Sequence, residues 1–167
     1  MESVFITTIV GDDRPDIINA LAKTTRSLGG EWIKSKVIRL DGQFSAIMKV
    51  TIDEAQKEKL NQTLEQEFSG LAFYHAPVRE VQPENTNIID LVLDCNDRPG
   101  LTKEITRALY DLNLRPENLE VSRVPIFQMG KTVYSAKMRV GIPDTLSKEE
   151  LSDALLKVCD SCRINFD

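Results

Sequence analysis

A four-residue phrase occurs twice in this chain and differs between its copies only in the last residue. Residues 13–16 spell DRPD and residues 97–100 spell DRPG, 84 positions later. A largely hydrophobic segment precedes each phrase, SVFITTIVGD before the first and NIIDLVLDCN before the second. Each segment predicts a strand, and in the second Ile89, Leu91 and Leu93 alternate with Asp90, Val92 and Asp94, which indicates one clear core face. A repeat on this scale decides the architecture, because both halves are then expected to share one fold.

A helical pattern follows each phrase. Its members recur at spacings of four, four and three: Ile17, Leu21, Thr25 and Leu28 in the first half, and Leu101, Ile105, Leu109 and Leu112 in the second. This spacing lines one face of a helix. Pro15 and Pro99 suit the first helical turn, where a missing N–H costs little. Asp13 and Asp97 are predicted to cap the exposed amides of that turn.

The remaining elements also pair between the halves. The segment WIKSKVIRLDGQFSAIMKVTI predicts a hairpin turning at Asp41-Gly42, since this dipeptide supplies positive φ angles. Its counterpart is NLEVSRVPIFQMGKTVYSAKMRVGI, whose last strand is aligned at an offset of 90, so the extra residues are expected in turns and loops. A second helix and a fourth strand follow, DEAQKEKLNQTLEQEF with LAFYHAPVREV, then SKEELSDALLKVC with the short RINFD. The order βαββαβ predicts an α+β, ferredoxin-like fold, with antiparallel sheets and helices on one face.

The repeat divides the chain into two domains. We predict domains at 1–82 and 88–167, joined by a linker at 83–87. Each half has only about 80 residues, and a domain of that size buries roughly 60–65% of its surface. The halves are therefore expected to pack together or to form a homodimer.

Composition excludes several classes of function. The 167 residues are 41% hydrophobic and 28% charged, with a formal net charge of −5, as in ordinary soluble proteins. No run approaches the roughly 18 apolar residues of a membrane span, and no basic segment precedes an apolar one at the start. A cytoplasmic location is therefore expected. The acidic balance argues against direct binding of nucleic acid.

The cysteines favour neither a disulfide framework nor a metal. Cys95, Cys159 and Cys162 are an odd count without a secretory signal, which predicts reduced thiols. Cys159 and Cys162 lie at the end of a predicted helix, whereas a redox pair usually lies at a helix N-terminus. Two cysteines without a nearby histidine are also short of the four ligands of zinc. No metal site and no cofactor are predicted.

Catalytic groups are scarce. His75 is the single histidine and falls in a predicted strand, so we interpret it as a structural or surface residue. Neither a nucleophile elbow nor a phosphate-binding glycine loop occurs, which predicts a non-enzymatic protein without catalytic residues. Two alternatives stay open for this fold class. Arg98 with Asn118 would suit the phosphate chemistry of an acylphosphatase, and Phe44 and Tyr134 could stack on RNA bases.

A βαββαβ unit with aspartate, proline and glycine between its first strand and first helix resembles the ACT domain, a small regulatory module that commonly binds amino acids. DCNDRPGLTKEITRALYDLNL is similar to that family's opening motif nearly end to end. VGDDRPDIINALAKTTRSLGG resembles the same motif, with Asp16 in place of glycine. The resemblance covers residues 1–82 and 88–167. A pair of such units most resembles the glycine-cleavage-system transcriptional repressor family.

The resemblance implies a function and a site. It implies a regulator that binds a small amino acid such as glycine and controls transcription by contacting an activator protein, without touching DNA. In the family the ligand lies at the turn before the first helix and at the start of the second strand, often of a neighbouring domain. The matching residues are Asn96, Asp97, Arg98, Pro99, Gly100, Leu101, Asn118 and Leu119 in the second half. In the first half they are Asp12, Asp13, Arg14, Asp16, Ile17, Trp32 and Ile33.

The two copies of the turn differ in their expected chemistry. A helix N-terminus carries partial positive charge, so the second turn could hold a carboxylate, and Gly100 has no side chain to block it. Asp16 in the first helical turn would repel such a ligand but could receive an ammonium group. Alternatively, each turn is only a well-capped helix start. An interaction module without a ligand, or a free-standing sensor acting on a metabolic enzyme, also stays open.

Overall fold

The βαββαβ order occurs twice in the computed structural model, which describes residues 1–79, 86–159 and 161–167. The chain divides into two compact units, Met1–Val81 and Gln82–Asp167, called unit 1 and unit 2 below. Part of the predicted linker, 83–85, lies outside the described residues, as do the last two residues of the predicted strand at 71–81. Thr86 and Asn87, which were predicted as linker, already belong to a strand.

Unit 1 has one antiparallel sheet and two helices. Its elements are β1 (Glu2–Asp12), α1 (Ile17–Ser27), β2 (Glu31–Leu40), β3 (Gln43–Asp53), α2 (Glu54–Glu67) and β4 (Leu71–Pro77). The strand order is β2-β3-β1-β4, and each neighbouring pair is antiparallel. This order places β1 and β3 at the centre, as the ferredoxin-like prediction requires.

Unit 2 repeats this arrangement. Its elements are β5 (Thr86–Asn96), α3 (Leu101–Asp111), β6 (Pro116–Ile126), β7 (Lys131–Pro143), α4 (Lys148–Leu156) and β8 (Arg163–Phe166). A short 3₁₀ turn, Phe127–Met129, lies between β6 and β7. The strand order β6-β7-β5-β8 has the topology of unit 1. The predicted α+β fold of two ferredoxin-like units is therefore confirmed.

The two hairpins differ in length. Asp41 and Gly42 have φ angles of 47° and 81° and connect paired residues, which confirms the predicted two-residue turn. In unit 2 the pair equivalent to Arg39 and Phe44 is Arg123 and Tyr134, and the chain between its members is longer. The added residues lengthen both strands as well as the turn. This longer hairpin accounts for the change of offset from 84 to 90.

Each unit buries its core between its helices and one face of its sheet. On β5, Ile89, Leu91 and Leu93 are buried while the residues between them are partly exposed, which confirms the predicted alternation. The predicted helix faces are likewise buried, at Ile17, Leu21 and Thr25 in α1 and at Leu101, Ile105 and Leu109 in α3. Within the described ranges, none of the helices is long and apolar enough to cross a membrane.

The aromatic residues considered for base stacking belong to these cores. Phe44 is 1% exposed and Tyr134 is 0% exposed. The hydroxyl of Tyr134 forms a hydrogen bond of 2.9 Å with Oγ1 of Thr102 in α3. Because both rings face the helices, neither can stack on a nucleic-acid base, and the RNA-binding alternative loses the residues on which it depended.

His75 lies on β4, as predicted, and is held between two elements. Its Nδ1 is 3.1 Å from Oγ1 of the buried Thr7 on β1, and its Nε2 is 3.7 Å from a carboxylate oxygen of Glu65 on α2. Burial lowers the pKa of His75 below its ordinary value of 6.5, and the charge of Glu65 opposes this shift. The neutral imidazole is therefore favoured in the folded protein.

We expect an NMR titration to give His75 a pKa below 6.5. The single histidine makes its imidazole signals unambiguous. The substitution Glu65→Gln should lower the pKa further, because it removes a charge that favours the protonated ring, whereas Glu67→Gln on the same helix should not. Since the unfolded chain then binds the proton more readily, this group's stabilising effect is present above pH 6.5 and is lost as pH falls towards the folded pKa. A measured pKa at or above 6.5 would contradict this assignment.

Candidate ligand site at the repeated turn

The two copies of the repeated phrase form the same backbone turn. The amide of Asp13 donates a hydrogen bond of 2.8 Å to the carbonyl of Gly42, and the amide of Asp97 donates one of 2.9 Å to that of Thr132. These contacts tie the end of the first strand of each unit to the hairpin. The two copies of the phrase therefore share a backbone conformation as well as a sequence.

The last residue of each phrase has a left-handed backbone. Asp16 has a φ of 62° and Gly100 a φ of 90°, and each is the N-cap residue immediately before its helix. The prediction that Asp16 lies within the first helical turn is wrong by one position, because Asp16 is the N-cap residue and the helix begins at Ile17. Glycine adopts positive φ freely, and aspartate is one of the few other residues that tolerate it. The replacement of glycine by aspartate thus keeps the backbone and changes only the side chain.

Asp13 and Asp97 do not cap the helices, contrary to prediction. Neither helix has a side-chain cap bond, because each aspartate lies three residues before the N-cap position. The carboxylate of Asp13 instead accepts a hydrogen bond from Nε of Arg39 at 3.1 Å, and that of Asp97 accepts one from Nε of Arg123 at 3.2 Å. Both pairs join residues 26 apart. The aspartate of the phrase therefore pins the turn to the second strand of its unit.

Arg98 makes the turn of unit 2 chemically distinct. Its guanidinium donates to both carboxylate oxygens of Glu104 on α3, at 2.9 Å for one of them, and to the carbonyl of Val158 at 2.9 Å. The hydrogen bonds from Arg98 hold the pKa of Glu104 below its usual range. At the equivalent position, 84 residues earlier, unit 1 has Ala20. The pair of Arg98 and Glu104 is thus specific to unit 2.

Glu104 makes the two turns more alike than Gly100 and Asp16 alone suggest, because it places a carboxylate beside the turn of unit 2 as well. A Cβ atom built on Gly100 would lie 3.3 Å from Oε1 of Glu104. Unit 2 therefore has a carboxylate of its own beside the turn, although Arg98 neutralises it. Sequence reasoning missed Glu104 because its relation to Arg98 depends on how the turn folds back over α3.

The predicted residues of the turns differ in their exposure. In unit 2, Asp97 is partly buried, and the other polar or small residues of the turn are exposed: Asn96, Arg98, Pro99 and Gly100. Unit 1 has the same pattern, since Asp13 is partly buried while Asp12, Arg14 and Asp16 are exposed. Leu101 and Ile17 are the exceptions, since their side chains are 1% and 3% exposed and belong to the cores. A ligand at either turn would meet their backbone alone.

The second-strand residues lie far from the turn of their own unit. Trp32 is opposite Val50, which is opposite Phe5, and Phe5 lies seven positions before the end of β1. In unit 2, Asn118 is opposite Arg139, at the far end of the sheet from Arg98. A strand rises about 3.3 Å per residue, so these separations are roughly 20 Å. Within one unit, neither Trp32, Ile33 nor Asn118, Leu119 joins the turn, and Arg98 with Asn118 forms no phosphate site.

Trp32 and Asn118 border cavities of their own. A cavity of about 410 Å³ lies at the end of α1 between Thr25, Gly30 and Trp32, whose indole N–H donates to Oγ1 of Thr25 at 3.2 Å. Asn118 borders one of about 280 Å³ with Asp90 and Arg139, which form an ion pair at 2.7 Å. The predicted residues thus occupy two separate places in each unit.

The three cysteines meet beside the turn of unit 2. The sulfurs of Cys95, Cys159 and Cys162 lie within 4.8 Å of one another, and the last two form a disulfide. The prediction of reduced thiols is therefore wrong for this pair. The turn after α4, with Ser161 at a φ of 66°, brings their Cα atoms to 5.6 Å, a normal spacing for a disulfide. Burial raises the pKa of the Cys95 thiol, and the charge of Arg98 opposes that shift.

Comparison with known proteins places this fold. Residues 3–73 match the family model described as the ACT domain. No curated protein matches the sequence. The chain is similar to the crystal structure of an unknown protein from Galdieria sulphuraria, with a TM-score of 0.86 and 21% identity over 100% of this chain and 98% of that one.

A second solved structure is also similar. It is that of a candidate glycine cleavage system transcriptional repressor, with a TM-score of 0.75 and 16% identity over 100% of this chain and 98% of the other. At such identities the likeness establishes the fold. Together with the repeated topology, these likenesses show that the chain has an ACT-like fold in tandem, and residues 3–73 match the ACT domain itself.

Proposed function

We propose that this chain is a non-enzymatic regulator with two domains, 1–82 and 88–167, that binds a small amino acid at the turn of unit 2. In this proposal it regulates transcription by contacting an activator protein and does not bind DNA itself. The tandem ACT-like fold supports a regulatory role, because the resemblance is to modules that commonly bind amino acids. The solved structure named as a candidate repressor of the glycine cleavage system supports transcription as the process.

One observation carries the proposal for the ligand site. The exposed turn of unit 2 ends in Gly100, which has no side chain, directly before the eleven-residue helix α3. The amides at the start of such a helix favour an anion, and a carboxylate can approach them closely past a glycine. Arg98 brings a guanidinium to the same turn, where it is paired with Glu104. A ligand carboxylate would compete with Glu104 for this arginine.

The ligand's size limits the affinity of such a site. A compound of five heavy atoms such as glycine gains at best about −7.5 kcal/mol, at roughly −1.5 kcal/mol per heavy atom. This corresponds to a dissociation constant somewhat above 1 μM, that is, about 3 μM. The proposed site would therefore respond to the abundance of a metabolite and would not scavenge traces.

Calorimetric titration of the full chain with each of the twenty amino acids tests the proposal. We expect saturable heat with glycine or another small amino acid, at one site in unit 2. No heat with any of the twenty would contradict amino-acid sensing. Co-purification from a native extract then distinguishes the remaining roles, since an activator protein supports transcription control and a metabolic enzyme supports the free-standing sensor.

The substitution Glu104→Gln should strengthen binding of the amino acid. The pair of Glu104 with Arg98 is about half exposed, at 44% for each side chain, and solvent screening keeps such pairs weak. Removing this competitor should therefore tighten binding by a small factor, at most about fivefold, in the same titration. Glu149→Gln on α4 is the control and should change nothing. Weaker binding by Glu104→Gln would show that Glu104 assists the ligand.

An exposed apolar row on unit 1 supports a second candidate, an interaction module that needs no ligand. Ile47 and Tyr74 both pair with Thr8, on the sheet face opposite the helices, and are 50% and 70% exposed. Apolar groups arranged in this way suit contact with a protein partner. A chain that gives no heat with any amino acid but still co-purifies with a partner would favour this candidate.

A further inference from the structure

Three sulfur atoms from distant parts of the sequence converge in unit 2. Cys95 lies near the end of β5, and Cys159 and Cys162 follow α4, yet their sulfurs lie within 4.8 Å of one another. The sequence alone predicted no metal site, because CDSC offers only two ligands. The fold supplies the missing third ligand by placing the end of β5 against the turn after α4.

The surroundings of these sulfurs are those of a closed site with one opening. Cys95 and Cys159 are 4% and 3% exposed and belong to the core of unit 2, while Cys162 is partly buried and packs against that core. Water is thus excluded from two of the three sulfurs. Access is through Cys162, at the edge of the cluster.

The ligand set is chemically selective. Thiolates are soft ligands that favour Zn²⁺ or Cu⁺ over the hard cations Mg²⁺ and Ca²⁺. Zinc binds thiolate sulfur at about 2.3 Å in tetrahedral geometry, which spaces the sulfurs about 3.8 Å apart. Three sulfurs within 4.8 Å therefore need only a small shift to share one ion. The fourth position stays open for water or another ligand.

A positive group lies beside the cluster. The guanidinium of Arg98 donates to the carbonyl of Val158, the residue before Cys159, at 2.9 Å. Three thiolates around a divalent cation carry one net negative charge, and a nearby guanidinium stabilises this charge. The arginine of the repeated turn thus reaches the backbone that carries two of the sulfurs.

We propose that the reduced chain binds one thiophilic d¹⁰ cation, with Zn²⁺ as the probe, through Cys95, Cys159 and Cys162. The disulfide in this structure and the metal-bound form are then alternative states of the same cluster. A dithiol reductant opens the Cys159–Cys162 disulfide: the two sulfurs of the reductant become a disulfide, and Cys159 and Cys162 each gain one hydrogen. The three cysteine thiols then lose their protons to solvent as the cation binds.

Spectroscopic titration of the reduced full chain with Co²⁺, followed by displacement with Zn²⁺, tests the proposal. We expect one ion per chain and near-ultraviolet thiolate-to-cobalt charge transfer whose intensity corresponds to three sulfurs. Cys95→Ser should weaken binding by at least about tenfold, since even outer-sphere changes cost 10- to 100-fold, and should lower the charge-transfer intensity by about a third. Ser161→Gly is the matched control, because glycine keeps the positive φ of this turn and all three sulfurs remain.

Two results would overturn the proposal. One is a reduced chain that binds no Co²⁺ or Zn²⁺ in stoichiometric amounts. The other is equal binding by the wild type and by Cys95→Ala, a second variant that places an apolar side chain in the buried position, because the ion would then use only the CDSC pair. Circular dichroism of each variant verifies its fold. Neither result depends on whether the chain binds an amino acid.

Discussion

Replacing Gly100 with aspartate is expected to weaken amino-acid binding by unit 2 strongly while the unit stays folded. Unit 1 already has aspartate in the equivalent turn, at a φ of 62°, so this side chain is compatible with the left-handed backbone. The new carboxylate would lie at the start of α3, where it takes the favourable position of the ligand's carboxylate and repels it. In calorimetric titration we expect affinity to fall by at least about tenfold, the equivalent of 1.4 kcal/mol.

Gly100→Asn is the matched control for this experiment. Asparagine has nearly the same shape as aspartate and also tolerates positive φ, but it carries no charge. Both side chains must displace Oε1 of Glu104, which lies 3.3 Å from the Cβ position and can move because it ends a flexible side chain. We expect Gly100→Asn to bind more tightly than Gly100→Asp. Unchanged binding by Gly100→Asp would place the ligand elsewhere and contradict the proposed site.

Truncating one core leucine should destabilise one unit by about 2–5 kcal/mol, the usual cost of a buried leucine-to-alanine change. Leu21 on α1 and Leu93 on β5 are both 0% exposed and lie in separate cores. Leu21→Ala should therefore lower the free energy of unfolding of unit 1, and Leu93→Ala that of unit 2. The two variants control for each other.

The single tryptophan makes this experiment selective. Trp32 packs against the core of unit 1, so its fluorescence in urea reports the unfolding of that unit. Leu21→Ala should shift the fluorescence transition to a lower urea concentration. Leu93→Ala should leave the fluorescence transition unchanged and shift the circular dichroism transition of unit 2, because circular dichroism reports both units. An equal shift of the Trp32 transition by both variants would show that the chain unfolds as one unit. This result would contradict independent unfolding of the two units.

Local patterns in the sequence predicted the elements well, because they express local physics. The spacing of Leu101, Ile105 and Leu109 predicts the buried face of α3, and Asp41-Gly42 predicts the first hairpin turn, since both depend on residues a few positions apart. The capping role predicted for Asp13 failed, because its partner Arg39 lies 26 residues away on another strand. Arg39 and Arg123 do repeat at the offset of 84, and that repetition could have identified them.

The candidate site was predicted only in part. The repeated phrase located both turns, but the ion pair of Arg98 with Glu104 and its contact with Val158 required the folded chain. Residues predicted for one pocket, such as Gly100 and Asn118, lie at opposite ends of their sheet in unit 2. Sequence spacing cannot show this separation, because strand register converts distance along the chain into position on the sheet.

The sequence by itself determined the duplicated βαββαβ architecture, because hydrophobic periodicity and turn residues act over a few positions and the repeat confirms each inference twice. It also determined that the two turns differ at Gly100 and Asp16. Only the tertiary structure decided why that position is special, by showing a left-handed backbone in both copies. It alone brought Cys95 to Cys159 and Cys162, because contacts between distant segments arise from packing, which no local pattern records.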